Sequence, residues 1–399
     1  MIKKIFIENF KAIHHGTGLD IQPFTVFIGN NGTGKSSIIE ALRALQIGVS
    51  SDLNSAFEEW GGLEKVRNNN ADLTREISGF GIPKSVFEPL KIEITAVVNE
   101  KLYDYKVRIN LERSYYVVEY EELICDQKKV FTSIKLEGVE EPEVFYYNDN
   151  GEQIAFPFIH NSNSLILSFK GSPSYFFKPL SDFSSYIEDW QFLYLNAHIM
   201  GVPSVENKLT RIKKLNFDGQ NIAEFIFWLK NENLVNFDSL IEKMKFVLPY
   251  IDHIDSDLIT ETKNTEFELK LYESSNLQKS IPSWLLSSGT LRILALLAMF
   301  EITDKPSVLF IDEIENGLDP RTIGLLLSQI ESVFLDKTMQ VIITTHSPFL
   351  LDMIPIESVI VSEKSEKGST YKIPANNSEL KNWKNKFSPG KLYTMGKFS

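Results

Sequence analysis

One run near the N-terminus is spaced for phosphate chemistry. Gly29-Asn30-Asn31-Gly32-Thr33-Gly34-Lys35-Ser36 fits the pattern G-x-x-x-x-G-K-[ST]. Glycines in such a loop let backbone N–H groups come within hydrogen-bonding distance of phosphate oxygens, and the start of the next helix adds positive potential. The pattern assigns Asn30, Asn31, Gly32, Thr33, Gly34, Lys35, Ser36 and Ser37 to contact with a nucleotide. Lys35 is placed to reach β- and γ-phosphates, and the Ser36 hydroxyl to bind Mg²⁺.

Three later stretches add the groups a hydrolytic reaction needs. Ser307-Val308-Leu309-Phe310-Ile311-Asp312-Glu313 is an apolar run ending in two carboxylates. Alone, such a run is as often a strand end with solvated acids. Together with the loop, it predicts Asp312 as a Mg²⁺ ligand, mostly through water, and Glu313 as the general base that polarises attacking water. Thr344-Thr345-His346-Ser347-Pro348 follows another apolar run, and His346 there can donate to a γ-phosphate. Leu286-Ser287-Ser288-Gly289-Thr290-Leu291-Arg292 reads as a helix start, with Ser287 as N-cap and Gly289 open to close approach by a ligand.

These groups need elements to hold them. Ile2–Ile7 and Thr25–Ile28 read as strands, and Ile38, Ile39, Leu42 and Leu45 mark a helix behind the glycine loop. Lys91–Val98, Tyr103–Leu111, Tyr115–Tyr120 and Ser164–Phe169 read as antiparallel strands. Ile222–Phe246 reads as one helical stretch, and Phe267–Leu271 as a returning strand. From Trp284 onward, helix Ser287–Ile302, strand Val308–Ile311, helix Thr322–Phe334, strand Val341–Thr344, helix Pro348–Met353 and strand Ser358–Ser362 alternate, which predicts parallel α/β structure.

The expected fold class is α/β, a mixed sheet with helices interrupted by an antiparallel-strand and helical insertion. The expected division is 1–90 (phosphate loop), 91–180 (antiparallel lobe), 181–283 (mostly helical insertion with a returning strand), 284–370 (the remaining motifs) and 371–399 (basic tail).

Composition narrows the setting. The chain has 399 residues, 43% of them hydrophobic and 24% charged, with a formal charge of −12 and one cysteine, Cys125. A disordered chain is excluded. So are an internal disulfide and a cysteine-based zinc site. No run is long and apolar enough for a membrane span and no secretory signal is legible, so a cytoplasmic protein is expected.

The ordered set of motifs resembles the ABC-type ATPases of the SMC/RecF branch. It comprises Asn9-Phe10-Lys11, residues 29–36, Leu286–Gly289, Val308–Glu313, Gly317-Leu318-Asp319-Pro320 and Thr345-His346. The resemblance implies Mg²⁺-dependent ATP hydrolysis by a P-loop ATPase head. It also implies a homodimer across ATP, in which Ser287 and Gly289 bind the γ-phosphate of ATP held by the other copy. Asp319 is then expected in the loop that crosses the interface, and Lys11 beside the nucleotide.

Leu-Ser-x-Gly-Thr-Leu-Arg and Thr-His-Ser-Pro-Phe-Leu-Leu are similar to compact prokaryotic AAA-type ATPases related to OLD proteins, which are common in anti-phage defence. OLD nucleases carry a Toprim domain after the ATPase, but only 53 residues follow His346 here, and SMC coiled coils are missing from the middle of the chain. The expectation is an ATPase whose effector, a nuclease or toxin, is a separate protein.

Two alternatives remain at this level: a RecF-like repair ATPase that binds DNA itself, and the ATPase subunit of a transporter. Lys208–Lys214, and Lys381, Lys384, Lys386, Lys391 and Lys397 with interleaved aromatics, are candidate nucleic-acid contacts. The family's Q-loop glutamine has three candidates, Gln127, Gln153 and Gln191.

Overall fold

The computed structural model describes every residue except 17, 72, 78–82, 113–114, 137–140, 149, 155–162, 170–177, 206–213, 262–263, 336–338, 367, 377–386 and 399. The chain forms two units. The first comprises 1–190, 356–387 and 395–399; the second comprises 191–355 and 388–394.

An eight-stranded antiparallel sheet dominates the first unit. Its order is Gln153–Ile154, Glu143–Tyr147, Lys128–Ile134, Tyr115–Cys125, Lys101–Glu112, Leu90–Val98, Ile2–Glu8 and Leu19–Asp20. Leu90–Val98 alternates buried and half-buried residues without a break, as a strand with one face on the core should. Register aligns one buried row across five strands: Ile5 faces Ile94, then Tyr105, Leu123 and Phe131. Such cross-strand pairs are the unit of sheet stabilisation. Helix Lys178–Glu188 seals this face by stacking the Phe183 ring on Tyr103, with centroids 5.3 Å apart.

The same unit holds a second set of strands. Phe24–Ile28 runs parallel to Val359–Ser365, which pairs antiparallel with Gly368–Lys372. Helix Lys35–Ser50 follows the glycine loop and buries Ile38, Ile39, Leu42, Leu45 and Val49. The expected strand at Ser164–Phe169 is instead a 3₁₀ turn over Ile166–Ser168. Its amides are diverted to a side chain: Ile166 N–H donates to Glu121 Oε2 at 2.6 Å and Leu167 N–H to Glu121 Oε1 at 3.2 Å.

Glu121 is fully buried and also accepts from the Tyr105 hydroxyl at 3.0 Å; Tyr146 lies close enough to feel its charge. Burial pushes its carboxyl from 4.5 up to about 7, against the opposing pull of those three donors. The folded chain therefore holds a proton that the unfolded chain has already lost. The stabilisation is complete below pH 4.5 and is lost as pH rises through about 7. On the order of 3 kcal/mol of such pH dependence is expected from this one group. Glu121→Gln, which keeps acceptor and volume, should flatten it. Urea unfolding of both proteins at about pH 5 and about pH 8 checks this, and parallel pH dependences contradict it.

In the second unit, Gln191–Leu193, Val308–Ile311 and Gln340–Thr345 form a parallel arrangement, buried at every position. Phe192 stacks on Phe310 with centroids 4.4 Å apart. Helix Ser288–Glu301 buries nearly its whole circumference, from Thr290 and Leu291 to Phe300 and Glu301. Ile251–Glu261, Asn264–Glu273 and Asn276–Pro282 form an antiparallel sheet that Ser204–Val205 extends.

The expected single helix over 222–246 is two, Ile222–Glu232 and Leu234–Val247. Asn233 separates them. Its backbone leaves the helical region, at φ −149° and ψ 89°, and its side chain accepts from Asn236 N–H, starting a new helix rather than continuing the old one. Among the described residues no helix is long and apolar enough to cross a membrane.

Candidate functional site

The phosphate loop belongs to the first unit. Strand Phe24–Ile28 is buried throughout, and helix Lys35–Ser50 starts directly after Gly34. Gly34 sits at φ 96°, and a Cβ there would stand 2.5 Å from Ser369 Oγ and 2.7 Å from the Tyr371 hydroxyl. That hydroxyl donates to the Gly34 carbonyl at 3.0 Å. Both backbone angle and space demand glycine at this turn.

Lys35 is only 4% exposed, and its ammonium donates to the Gly29 carbonyl at 2.8 Å and the Asn30 carbonyl at 3.0 Å. Thr33 Oγ1 donates to the Asn30 carbonyl and lies 2.7 Å from the Ser362 hydroxyl. Asn30, Asn31 and Gly32 form an exposed lip; Ser36 is half-buried and Ser37 buried.

Lys11 borders the same loop. A cleft of 310 Å³ beside it is lined by Lys11, Gly32, Asn69, Asn70, Lys364 and Glu366, among others. Lys11 has φ 47° and its ammonium sits 2.7 Å from Glu40 and 4.5 Å from the centre of the Trp60 ring. Asn68 Nδ2 holds the Lys11 carbonyl at 2.6 Å.

The carboxylates, the histidine and the serine–glycine motif belong to the second unit. Strand Val308–Ile311 delivers Asp312, whose N–H donates to the Leu193 carbonyl at 2.9 Å. Thr344, at the end of the neighbouring strand, donates its hydroxyl to Asp312 Oδ1 at 2.5 Å and accepts the Glu313 N–H at 2.8 Å. Glu313 adopts φ 51°, a left-handed conformation uncommon outside glycine. Asn316 Nδ2 donates to Glu313 Oε2 at 2.7 Å, and His346 Nε2 lies 3.4 Å from Glu313 Oε1. Glu315 accepts the His346 backbone N–H.

Ser287 is the N-cap of helix Ser288–Glu301 as expected: its hydroxyl accepts from Thr290 N–H at 3.1 Å. A Cβ on Gly289 would stand 2.7 Å from the Gly317 carbonyl, so the helix start and the loop after Glu313 meet backbone to backbone. Asp319 caps helix Pro320–Leu335, accepting from the Thr322 hydroxyl at 2.6 Å and from the amides of Arg321 and Thr322. Those bonds, led by the Thr322 hydroxyl, hold its carboxyl below the ordinary range.

The second unit thus gathers Asp312, Glu313, His346, Ser287, Gly289 and Asp319, and the first gathers residues 29–37 with Lys11. Sequence reasoning missed Glu315 and Asn316, although their place between the paired acids and Gly317 was a signal. Gln191 is 5% exposed and donates to the Leu215 carbonyl at 2.8 Å, whereas Gln127 and Gln153 are exposed. Residues 208–213, Lys381, Lys384 and Lys386 lie outside the described residues.

Among the described residues, no group of three or more His, Cys, Asp or Glu is placed to hold a metal by itself. The Ser36 hydroxyl in the first unit and the Asp312 carboxylate in the second each offer hard oxygen, the donor type that Mg²⁺ takes.

A family model described as "AAA domain, putative AbiEii toxin, Type IV TA system" matches residues 24–352. No curated protein matches the sequence. Among solved structures, an SMC head bound to the C-winged helix domain of ScpA superposes with TM-score 0.52 at 13% identity, over 93% of this chain and 96% of that one. An SMC head with an extended coiled coil, bound to the C-terminal domain of ScpA from Pyrococcus furiosus, gives 0.48 at 12% identity, over 96% and 99%. The SMC head domain from Thermotoga maritima gives 0.43 at 12%, over 93% and 98%. The first of these likenesses carries the fold: the mixed α/β architecture is that of SMC head domains.

Proposed function

Because the chain belongs to the AAA-domain family described by the AbiEii toxin of type IV toxin–antitoxin systems, we propose that it is a Mg²⁺-dependent ATPase acting as an ATP-gated dimerising switch. Its setting is a prokaryotic anti-phage defence complex, where it regulates a separately encoded nuclease or toxin. The observation that carries the reading is Glu313, set at φ 51° beyond a buried strand with His346 3.4 Å from its carboxylate. A base and a proton-bearing sensor held together at a strand end suit hydrolysis of a phosphoanhydride.

Each side chain then has one task. Lys35 and the loop amides take the charge of the β- and γ-phosphates. Ser36 and Asp312 would hold Mg²⁺, which neutralises phosphate oxygens and orients them. Glu313 accepts a proton from the attacking water, and His346 donates to the γ-phosphate. Lys11 stands on the cleft beside the loop and steers the nucleotide there.

Ser287 and Gly289 serve the ATP of a second copy, and Asp319 stands next to that contact. ATP favours the joined state only by its differential affinity for it, and hydrolysis removes the bridge. The test is the mass of Glu313→Gln in solution by light scattering, with and without Mg²⁺ and ATP. A doubling with ATP is expected. An unchanged mass with nucleotide bound contradicts the switch.

A further inference from the structure

We propose that Asn316 is a positioning residue for Glu313, and that it ties Glu313 to the start of helix Ser288–Glu301 through Arg292. This rests on the ATPase reading above.

Both oxygens of the Glu313 carboxylate are met by groups of the same unit. Oε2 accepts from Asn316 Nδ2 at 2.7 Å, and Oε1 faces His346 Nε2 at 3.4 Å. Behind the carboxylate, the backbone turns tightly: Asn316 N–H donates to the Glu313 carbonyl at 3.1 Å. Asn316 therefore grips Glu313 at two points, its side chain and its backbone. The left-handed φ of Glu313 leaves few alternative paths for that turn.

The same asparagine is held from the helix. Arg292 donates one guanidinium nitrogen to the Asn316 carbonyl at 2.9 Å and another to the Leu195 carbonyl at 2.6 Å. Arginine's rigid fork fixes both distances at once. One residue further on, the Gly317 carbonyl lies 2.7 Å from where a Cβ on Gly289 would stand. The first turns of the helix thus contact two successive residues of the loop, and that loop aims the base. A shift of the helix start moves Asn316, and Asn316 carries the Glu313 carboxylate with it. Occupancy at Ser287 and Gly289 is in this way reported to the base of the same copy.

The test is steady-state ATP hydrolysis by the wild type, Asn316→Ala, Asn316→Asp, Arg292→Ala and the Asn316→Ala/Arg292→Ala double variant, with thermal midpoints alongside. Asn316→Ala should lower kcat about 10–100-fold and change KM for ATP by less than about threefold, because a misaimed base slows the chemical step without weakening binding. Asn316→Asp keeps the volume, removes the donor and sets a like charge beside Glu313. It should lose at least as much kcat with a midpoint near that of the wild type. The double variant should be no slower than the slower single, because both residues act through one loop.

Wild-type kcat in Asn316→Asp overturns the positioning role. A loss carried by KM overturns it as well, by assigning Asn316 to binding. Multiplicative losses in the double variant overturn the Arg292 link. If the wild type itself hydrolyses no ATP, the ATPase reading falls and this assignment falls with it. A wild type that turns over while the variants match it rejects the assignment alone.

Discussion

Glu313→Gln should lower ATP turnover about 10²–10⁴-fold while ATP still binds. Glutamine has the shape of glutamate, and its carbonyl oxygen can accept the bond that Asn316 Nδ2 now gives to Glu313 Oε2 at 2.7 Å. The backbone at φ 51° and the Thr344 hydroxyl on the Glu313 N–H are left as they were. Only the capacity to take a proton from water is lost. Single-turnover hydrolysis, with nucleotide binding by calorimetry, separates the two quantities. A variant within threefold of wild-type turnover would remove Glu313 from the reaction.

Lys35→Ala should act on binding itself. The ammonium is almost wholly buried and already engaged by two carbonyls of the loop it serves. Charge-assisted bonds in such a setting are among the strong ones. Removing the charge should weaken ATP binding and hydrolysis together by about 10²–10³-fold. Lys35→Arg should rescue little, because the planar guanidinium differs in shape from the ammonium and needs more room than this enclosed position leaves. Calorimetric titration with ATP measures it, and wild-type affinity in Lys35→Ala contradicts it.

The phosphate loop was legible because its pattern is contiguous. Glycines, lysine and serine stand at fixed offsets between a short apolar run and a helical one, and each demand is local. Strand Val308–Ile311 was legible for a similar reason: a strand buried on both faces is an unbroken apolar run. The grip of Asn316 on Glu313 was not. It exists because Glu313 and Gly317 both turn left-handed, at φ 51° and 70°, and a sequence pattern does not announce a positive φ at glutamate.

The role of Glu121 was not legible either. It lies just beyond Tyr115–Tyr120, where the sequence reads as a strand, yet it is buried and its carboxylate accepts the amide of Ile166, 45 residues away. That one tertiary contact also explains why Ile166–Ser168 is a turn where alternation suggested a strand. At Asn233, a single side chain that caps the following helix outweighed the helical periodicity on both sides of it.

The most direct test of the central claim is to mix two inactive variants. Lys35→Ala disables the phosphate loop. Ser287→Ala removes the serine hydroxyl of the serine–glycine motif and adds no atom against the Gly317 carbonyl, which a Cβ on Gly289 would meet at 2.7 Å, so the loop that aims Glu313 in the same copy stays in place. If each ATP is held by the loop of one copy and the serine–glycine motif of another, a mixed pair contains one intact site. Equal mixing should then restore about a quarter of wild-type ATPase activity, because half of the pairs are mixed and each has one of two sites. Activity in the mixture no greater than in either variant alone, with both variants folded, contradicts the shared site.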